Sequence, residues 1–234
     1  MTIAAGIRYA DGILICADSE ITHGSEFKGR GTKIFPYKLK ASGSKAIFTF
    51  SGDVMLSKQC IQTAARALAS APRIGLCGMY DILADEVYDF HQKYVFKHPL
   101  YQYGSAPTVN LIAAMWSAED NHLGLFQSSE HAVVELTDAD VLAITGSGGT
   151  FANYVSKPLV PHGGMKLTDV ITAAVYALKE AKDNVPGCGH GSELIAITKS
   201  GEMVIQDGCI HRTWKTLPLP SRWASDICLW KPVT

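Results

Sequence analysis

Thr2, the second residue of the chain, is the first candidate for chemistry. A small residue after an initiator methionine normally permits removal of Met1, which would leave Thr2 with a free α-amine. A hydroxyl is a weak nucleophile near pH 7 and needs a neighbouring base, and an α-amine with a pKa of about 7.7–8.0 can serve as that base. Thr2 would then carry both the nucleophile and its base. Many chains begin with Met-Thr, so these two residues alone favour an ordinary start.

Two charged residues interrupt apolar, strand-like runs in the first part of the chain. Asp18 ends the apolar run 13–17, and Lys33 lies within the run 32–35. Burying either charge is unfavourable unless it is paired or serves a site. A lysine close to the α-amine of Thr2 would also disfavour the protonated amine. Gly52 stands at a predicted strand-to-helix turn, where its N–H could face a developing oxyanion. A structural Asp–Lys pair and a plain turn are the alternative interpretation.

Together these segments resemble the proteasome β-type family of N-terminal-nucleophile hydrolases, which includes the HslV-type bacterial ring peptidase. The resemblance rests on residues 2–7, 11–19, 22–24, 32–34 and 50–53 and extends more loosely to about residue 199. It implies that Thr2 is the nucleophile, that Asp18 orients Lys33, that Lys33 tunes the amine and hydroxyl, and that Gly52 donates to the oxyanion. The backbone of Thr22, His23 and Gly24 would hold an extended substrate.

The resemblance implies three further site residues. Ser147, in a Gly-Ser-Gly turn, would sit beside the terminal amine, and Asp183 would support that serine. The family has a serine shortly after this aspartate, whereas here the loop is longer and Cys188 is the best match, with Ser192 as a rival. A metal site or a cysteine nucleophile at Cys188 and His190 is an alternative, although no paired metal-ligand spacing is visible.

The elements that must position these residues follow a regular order. Hydrophobic patterns predict strands over 2–8, 13–17, 32–35 and 45–50, helices over 54–70 and 80–96, strands over 109–115, 123–127, 132–136 and 141–145, helices over 150–160 and 170–183, and a hairpin over 194–198 and 203–205. Pro36 should end the third strand, and Thr168 should cap the last helix. The pattern predicts an α+β fold: a four-layer αββα sandwich with two antiparallel sheets between helical layers.

Composition narrows the class of protein further. The 234 residues are 47% hydrophobic and 18% charged, with 21 Lys and Arg against 22 Asp and Glu. This composition excludes a disordered chain and argues against nucleic-acid binding driven by bulk charge. Neither a secretory signal nor a membrane span is visible, and the six cysteines form no C-x-x-C pair, so we expect a cytoplasmic protein with reduced thiols. We predict one domain over 1–210 and a Trp- and Pro-rich tail over 211–234, packed on its own domain or on another subunit.

The main functional prediction is a threonine-type endopeptidase. By resemblance it would act on peptides or unfolded proteins as a homo-oligomeric ring, with an unfolding ATPase as a compatible partner and with no cofactor, metal, nucleic acid or membrane involved. Two alternatives stay open. One is a hydrolase of the same chemistry that acts on non-peptide amides, and the other is a non-catalytic ring subunit whose terminal amine is blocked.

Overall fold

Two five-stranded antiparallel sheets form the centre of the protein. The computed structural model describes residues 2–23, 27–137, 139–160 and 164–206. Along these residues the strands are β1 (Ala4–Tyr9), β2 (Gly12–Asp18), β3 (Glu20–His23), β4 (Phe27–Arg30), β5 (Ile34–Lys38), β6 (Lys45–Gly52), β7 (Val109–Ser117), β8 (His122–Ser129), β9 (Ala132–Leu136), β10 (Leu142–Thr145), β11 (Ser192–Thr198) and β12 (Met203–Gln206). The helices are α1 (Val54–Ser70), α2 (Leu76–Phe90), α3 (Gly149–Ser156) and α4 (Leu167–Asn184).

The sheets stack face to face, with a helical layer outside each. The strand order is β10-β1-β2-β11-β12 in the first sheet and β5-β6-β7-β8-β9 in the second. Apolar side chains of both sheets form the central core, including Ile13, Ile15, Ile47 and Leu125. Helices α3 and α4 cover the outer face of the first sheet, and α1 and α2 cover that of the second. The predicted αββα sandwich is confirmed, and β2, buried at every residue, is covered on both faces as expected.

The second helix begins earlier than its periodicity predicts. It starts at Leu76 instead of residue 80, and its helical path continues past Phe90 as a π-helical turn, His91–Val95. Gly75 is the N-cap, and the Leu76 N–H donates to Asp120 Oδ2 at 2.8 Å. Because this cap comes from a residue 44 positions away, local sequence does not reveal it.

Three other elements differ from expectation. Pro36 lies inside β5 instead of ending it, because β5 is an edge strand and a missing N–H on its open side breaks no ladder hydrogen bond. The N-cap of α4 is Lys166, so Thr168 lies in the first turn. The hairpin formed by β3 and β4 was not predicted as a pair of strands. The predicted tail 211–234 lies outside the described residues.

Candidate active site

Strand register brings Thr2 next to Asp18. In the first sheet Ala4 pairs with Ala17, and beyond this pair the Asp18 N–H donates to the Ile3 carbonyl at 3.1 Å. In return, Asp18 Oδ1 accepts from the Ile3 N–H at 3.0 Å. The start of β1 and the end of β2 are thereby tied together where the two strands leave the sheet.

Lys33 reaches this position from the opposite sheet. It immediately precedes β5, and its Nζ donates to Asp18 Oδ1 at 2.7 Å and to Thr2 Oγ1 at 2.9 Å. Lys33 and Asp18 have no exposed surface, and Thr2 is 7% exposed. A buried ammonium is therefore shared between a carboxylate and a hydroxyl, and Lys33 directly contacts the other two side chains predicted from sequence.

Asp18 uses both carboxylate oxygens. While Oδ1 contacts Lys33, Oδ2 accepts from the Gly189 N–H at 3.2 Å. A buried carboxylate is stable as an anion only when donors surround it. The two backbone N–H groups and the ammonium supply those donors, so the loop after α4 completes the environment of the pair.

The turn containing Ser147 holds the backbone of Thr2. The Thr2 N–H donates to Ser147 Oγ at 3.2 Å, and the Gly148 N–H donates to the Thr2 carbonyl at 3.3 Å. Gly146 has a φ of +103°, and a Cβ there would lie 2.1 Å from the Thr2 carbonyl oxygen. This close approach requires glycine. Ser147 thus lies at the predicted position, beside the nitrogen of Thr2.

Gly52 and Thr2 line one cavity of the protein. Its φ is +103°, and a Cβ there would lie 2.0 Å from the Thr108 carbonyl oxygen. The N–H of the next residue, Asp53, donates to that oxygen at 2.7 Å. Since antiparallel pairs alternate between hydrogen-bonded and non-hydrogen-bonded, the Gly52 N–H is expected to face away from β7. The cavity has a volume of about 380 Å³ and is lined by Thr2, Ser51, Gly52, Thr108, Asn110, Gly146 and Ser147.

The structure does not bring Asp183 to Ser147. Asp183 lies in the last turn of α4, where its side chain is 55% exposed and accepts from Lys179 Nζ at 3.0 Å. Its carboxylate is paired with Lys179 one helical turn back along α4, so it does not support Ser147 in this structure. Of the two candidates for the family serine, Ser192 is the first residue of β11, and its hydroxyl accepts from Lys182 Nζ at 2.7 Å.

Cys188 lies against the turn that carries Ser147. Its Sγ is 2.8 Å from the point that a Cβ on Gly148 would occupy, so the thiol packs on the glycine backbone. Cys188 is buried, and this burial raises the pKa of its thiol, with the negative charge of Asp18 adding to the effect. A thiol with a raised pKa is a poor nucleophile, which disfavours the alternative of cysteine catalysis.

The remaining predicted site residues are described only in part. Thr22 and His23 lie in β3, which begins two residues after Asp18, and they pair with Lys28 and Phe27 of β4. Gly24 lies outside the described residues. Within the ranges that are described, no group of three or more His, Cys, Asp or Glu side chains could hold a metal ion.

Sequence reasoning missed Glu193, whose side chain contacts the backbone of Lys33. Glu193 Oε2 accepts from the backbone N–H groups of Lys33 and Ile34 at 2.9 and 3.3 Å. Its only sequence signal is a carboxylate at the start of an apolar strand, the same signal that drew attention to Asp18 at the end of one.

Comparison with known proteins places the chain in a family. The sequence pattern of the proteasome subunit family matches residues 2–197. The chain belongs to this family. Among curated proteins, none matches the chain by sequence. No helix within the described part of the proteasome-family chain has both the length and the apolar character that a membrane span requires.

Solved structures of Anbu proteins share the fold of this proteasome-family chain. The Anbu (Gly-1) mutant from Hyphomicrobium sp. strain MC1 superposes with a TM-score of 0.70 at 13% identity, covering 87% of this chain and 84% of its own. Anbu (ancestral beta-subunit) from Yersinia bercovieri gives 0.69 at 12% identity, covering 86% and 84%. The helical assembly of the Anbu complex from Pseudomonas aeruginosa gives 0.70 at 13% identity, covering 93% and 98%.

Proposed function

We propose that this chain is an N-terminal threonine hydrolase that cleaves peptide bonds after Met1 has been removed. The observation that carries the proposal is the position of Lys33 Nζ, 2.9 Å from Thr2 Oγ1 and 2.7 Å from Asp18 Oδ1. Removal of Met1 would convert the Thr2 nitrogen, now hydrogen-bonded to Ser147, into an α-amine in the same place.

Each group then has a step to perform. Thr2 Oγ1 attacks the carbonyl carbon while its proton passes to the α-amine, and the Lys33 ammonium stabilises the negative charge that develops on Oγ1. The carbonyl oxygen becomes an oxyanion, which accepts a hydrogen bond from the Gly52 N–H. The protonated amine gives its proton to the leaving nitrogen, and an ester on Thr2 remains. The amine next activates a water molecule, which hydrolyses that ester and restores the hydroxyl.

The burial of the Lys33–Asp18 pair favours this function over a purely structural pair. Taking two charges out of water costs several kcal/mol per ion, and an apolar replacement of similar volume is often as stable. Both residues have no exposed surface, and the second partner of the ammonium, after Asp18, is the hydroxyl of Thr2. A stabilising pair has no need of that hydroxyl, whereas a catalytic one does.

Peptides are the proposed substrates, and a homo-oligomer is the proposed state. β3 begins two residues after Asp18, and we propose that its backbone binds an extended peptide. The neighbour from Pseudomonas aeruginosa is described as a helical assembly, and a related assembly of this chain would enclose the site. We place the protein in the cytoplasm, in keeping with the unpaired cysteines of the described residues.

A pair of variants at one position tests the proposal. Thr2→Ser keeps a hydroxyl and Thr2→Ala removes it, and both leave a small second residue that permits Met1 removal. We expect hydrolysis of fluorogenic peptide amides by the wild type and, more slowly, by Thr2→Ser, and none by Thr2→Ala. Equal turnover by Thr2→Ala would exclude Thr2 as the nucleophile.

The same experiment separates the two alternatives. A panel that contains both peptides and small acyl amides distinguishes a peptidase from an amidase, because a peptidase gains rate as residues are added along the extended chain. Intact mass reports the state of Met1. A wild-type protein that retains Met1 and hydrolyses no substrate in the panel would identify a non-catalytic subunit.

A further inference from the structure

The backbone at Lys33 lies at an unsupported margin of its sheet. β5 begins only at Ile34, which pairs with Thr49, and β5 is the edge strand of the second sheet. Lys33 comes before the first pair and has no ladder partner among the described residues. Its side chain must nevertheless hold Nζ within 2.9 Å of Thr2 Oγ1 and 2.7 Å of Asp18 Oδ1, both in the first sheet.

Glu193 connects this margin to the first sheet. It lies in β11 opposite Ala17 of β2, and the neighbouring pair is Ser192 with Asp18. The Glu193 side chain is partly buried and crosses to the other sheet, where one oxygen, Oε2, accepts from the N–H groups of both Lys33 and Ile34. A single carboxylate oxygen therefore fixes the backbone of Lys33 relative to the strand pair that carries Asp18.

The two hydrogen bonds that Glu193 accepts are charge-assisted. A carboxylate accepting from backbone N–H groups forms shorter and stronger hydrogen bonds than a neutral acceptor does. The bond to Lys33 is 2.9 Å long and that to Ile34 is 3.3 Å. Since both donors converge on one oxygen, the length of the side chain decides whether that oxygen reaches them.

We infer that Glu193 is a positioning residue, which sets the distance of the Lys33 ammonium from Thr2 Oγ1 by holding the Lys33 backbone across the two sheets. This inference rests on the proposed function, since it concerns the rate of the same reaction. Misplacing a catalytic group by about 1 Å can lower a rate by roughly 100-fold. Glu193 does not touch Thr2 in this arrangement, so its effect should fall on kcat rather than on substrate binding.

Three substitutions at Glu193 distinguish the effect of side-chain length from the effect of side-chain charge. Glu193→Gln keeps the length and one acceptor oxygen but removes the charge. Glu193→Asp keeps the charge but withdraws the oxygens by one methylene, and Glu193→Ala removes both. We expect kcat to fall by roughly 10- to 100-fold in the Asp and Ala variants with KM nearly unchanged, and to recover most of the wild-type value in the Gln variant. Glu202→Ala, at an exposed glutamate of the β11–β12 hairpin, is the matched control and should behave as wild type.

The kcat of each Glu193 variant is compared with the activity of Thr2→Ala, and the assembly of each variant is measured alongside. If Thr2→Ala is inactive while the Asp and Ala variants keep wild-type kcat, the proposed function stands and the role of Glu193 is refuted. If the Gln variant is as slow as the Ala variant, the charge matters instead of the reach, and the inference is equally overturned. Should Glu193→Ala fail to fold, the comparison of Gln with Asp, both close in volume to glutamate, decides. Active Thr2→Ala would overturn the proposed function itself.

Discussion

Replacing Lys33 by methionine would leave a buried negative charge without its cation. Methionine fills much of the space of the lysine stem but carries no charge. Within the part of the chain that the structure describes, Asp18, which has no exposed surface, would keep the N–H groups of Ile3 at 3.0 Å and Gly189 at 3.2 Å as donors. The free energy of unfolding should therefore fall, and the activity should disappear, because the ammonium contacts both Asp18 and Thr2.

The size of this effect follows from the burial of the pair. Removing one partner of a buried ion pair typically costs about 3–5 kcal/mol. The two N–H donors that remain on Asp18 argue for the lower end, about 3 kcal/mol. A domain of 150–250 residues loses roughly 2–4 °C of melting temperature per kcal/mol, so we expect a fall of about 6–12 °C. Adding Asp18→Asn to Lys33→Met removes the stranded charge and should restore much of this loss without restoring hydrolysis.

The assay is thermal unfolding of the single and double variants at one protein concentration, because assembly makes the melting temperature concentration-dependent. Lys157→Met, at an exposed lysine after α3, is the matched control for loss of a lysine and should melt with the wild type. The reasoning is refuted if Lys33→Met melts as the wild type does, or if the double variant is no more stable than Lys33→Met.

Two further predictions follow from the same neighbourhood. Gly146→Ala should lower kcat by roughly tenfold or more and reduce the melting temperature. The reason is that a Cβ at this position would lie 2.1 Å from the Thr2 carbonyl oxygen and must displace Thr2. Steady-state kinetics that give the wild-type kcat would contradict this prediction. Cys188 is buried, and this burial raises the pKa of its thiol, so Cys188 should resist alkylation, whereas exposed Cys77 should react. Peptide mapping of native protein treated with iodoacetamide shows which cysteine is alkylated first. Labelling of Cys188 before Cys77 would show that the Cys188 thiol is not shielded.

The hydrophobic pattern of the sequence was sufficient to predict the layered architecture of the fold. The run 13–17 is apolar at every position, which requires cover on both faces, and β2 has that cover. The charges that break such runs, Asp18 and Lys33, are the same residues that the structure brings to Thr2. An ionisable group is rarely placed in the interior without a partner, and this physical cost makes it visible in a single sequence.

Interactions across the two sheets were not predictable in this way. Glu193 acts on backbone N–H groups 160 positions away, and no periodicity records that contact. The match of Asp183 to a support for Ser147 relied on its place in the sequence after the long helix, and in the structure its carboxylate pairs with Lys179. Likewise, Asp120 caps α2 from a distant turn, so the start of that helix could not be read locally.

Covalent trapping of the first residue tests the central claim most directly. A peptide α′,β′-epoxyketone forms a ring only with a hydroxyl and a free amine on the same residue, so it reports the nucleophile and the removal of Met1 in one adduct. After incubation with protein purified from its native source, mass mapping should find the adduct on an N-terminal peptide that begins at Thr2, and none in Thr2→Ala. A retained Met1, or an adduct at any other residue, would contradict the account.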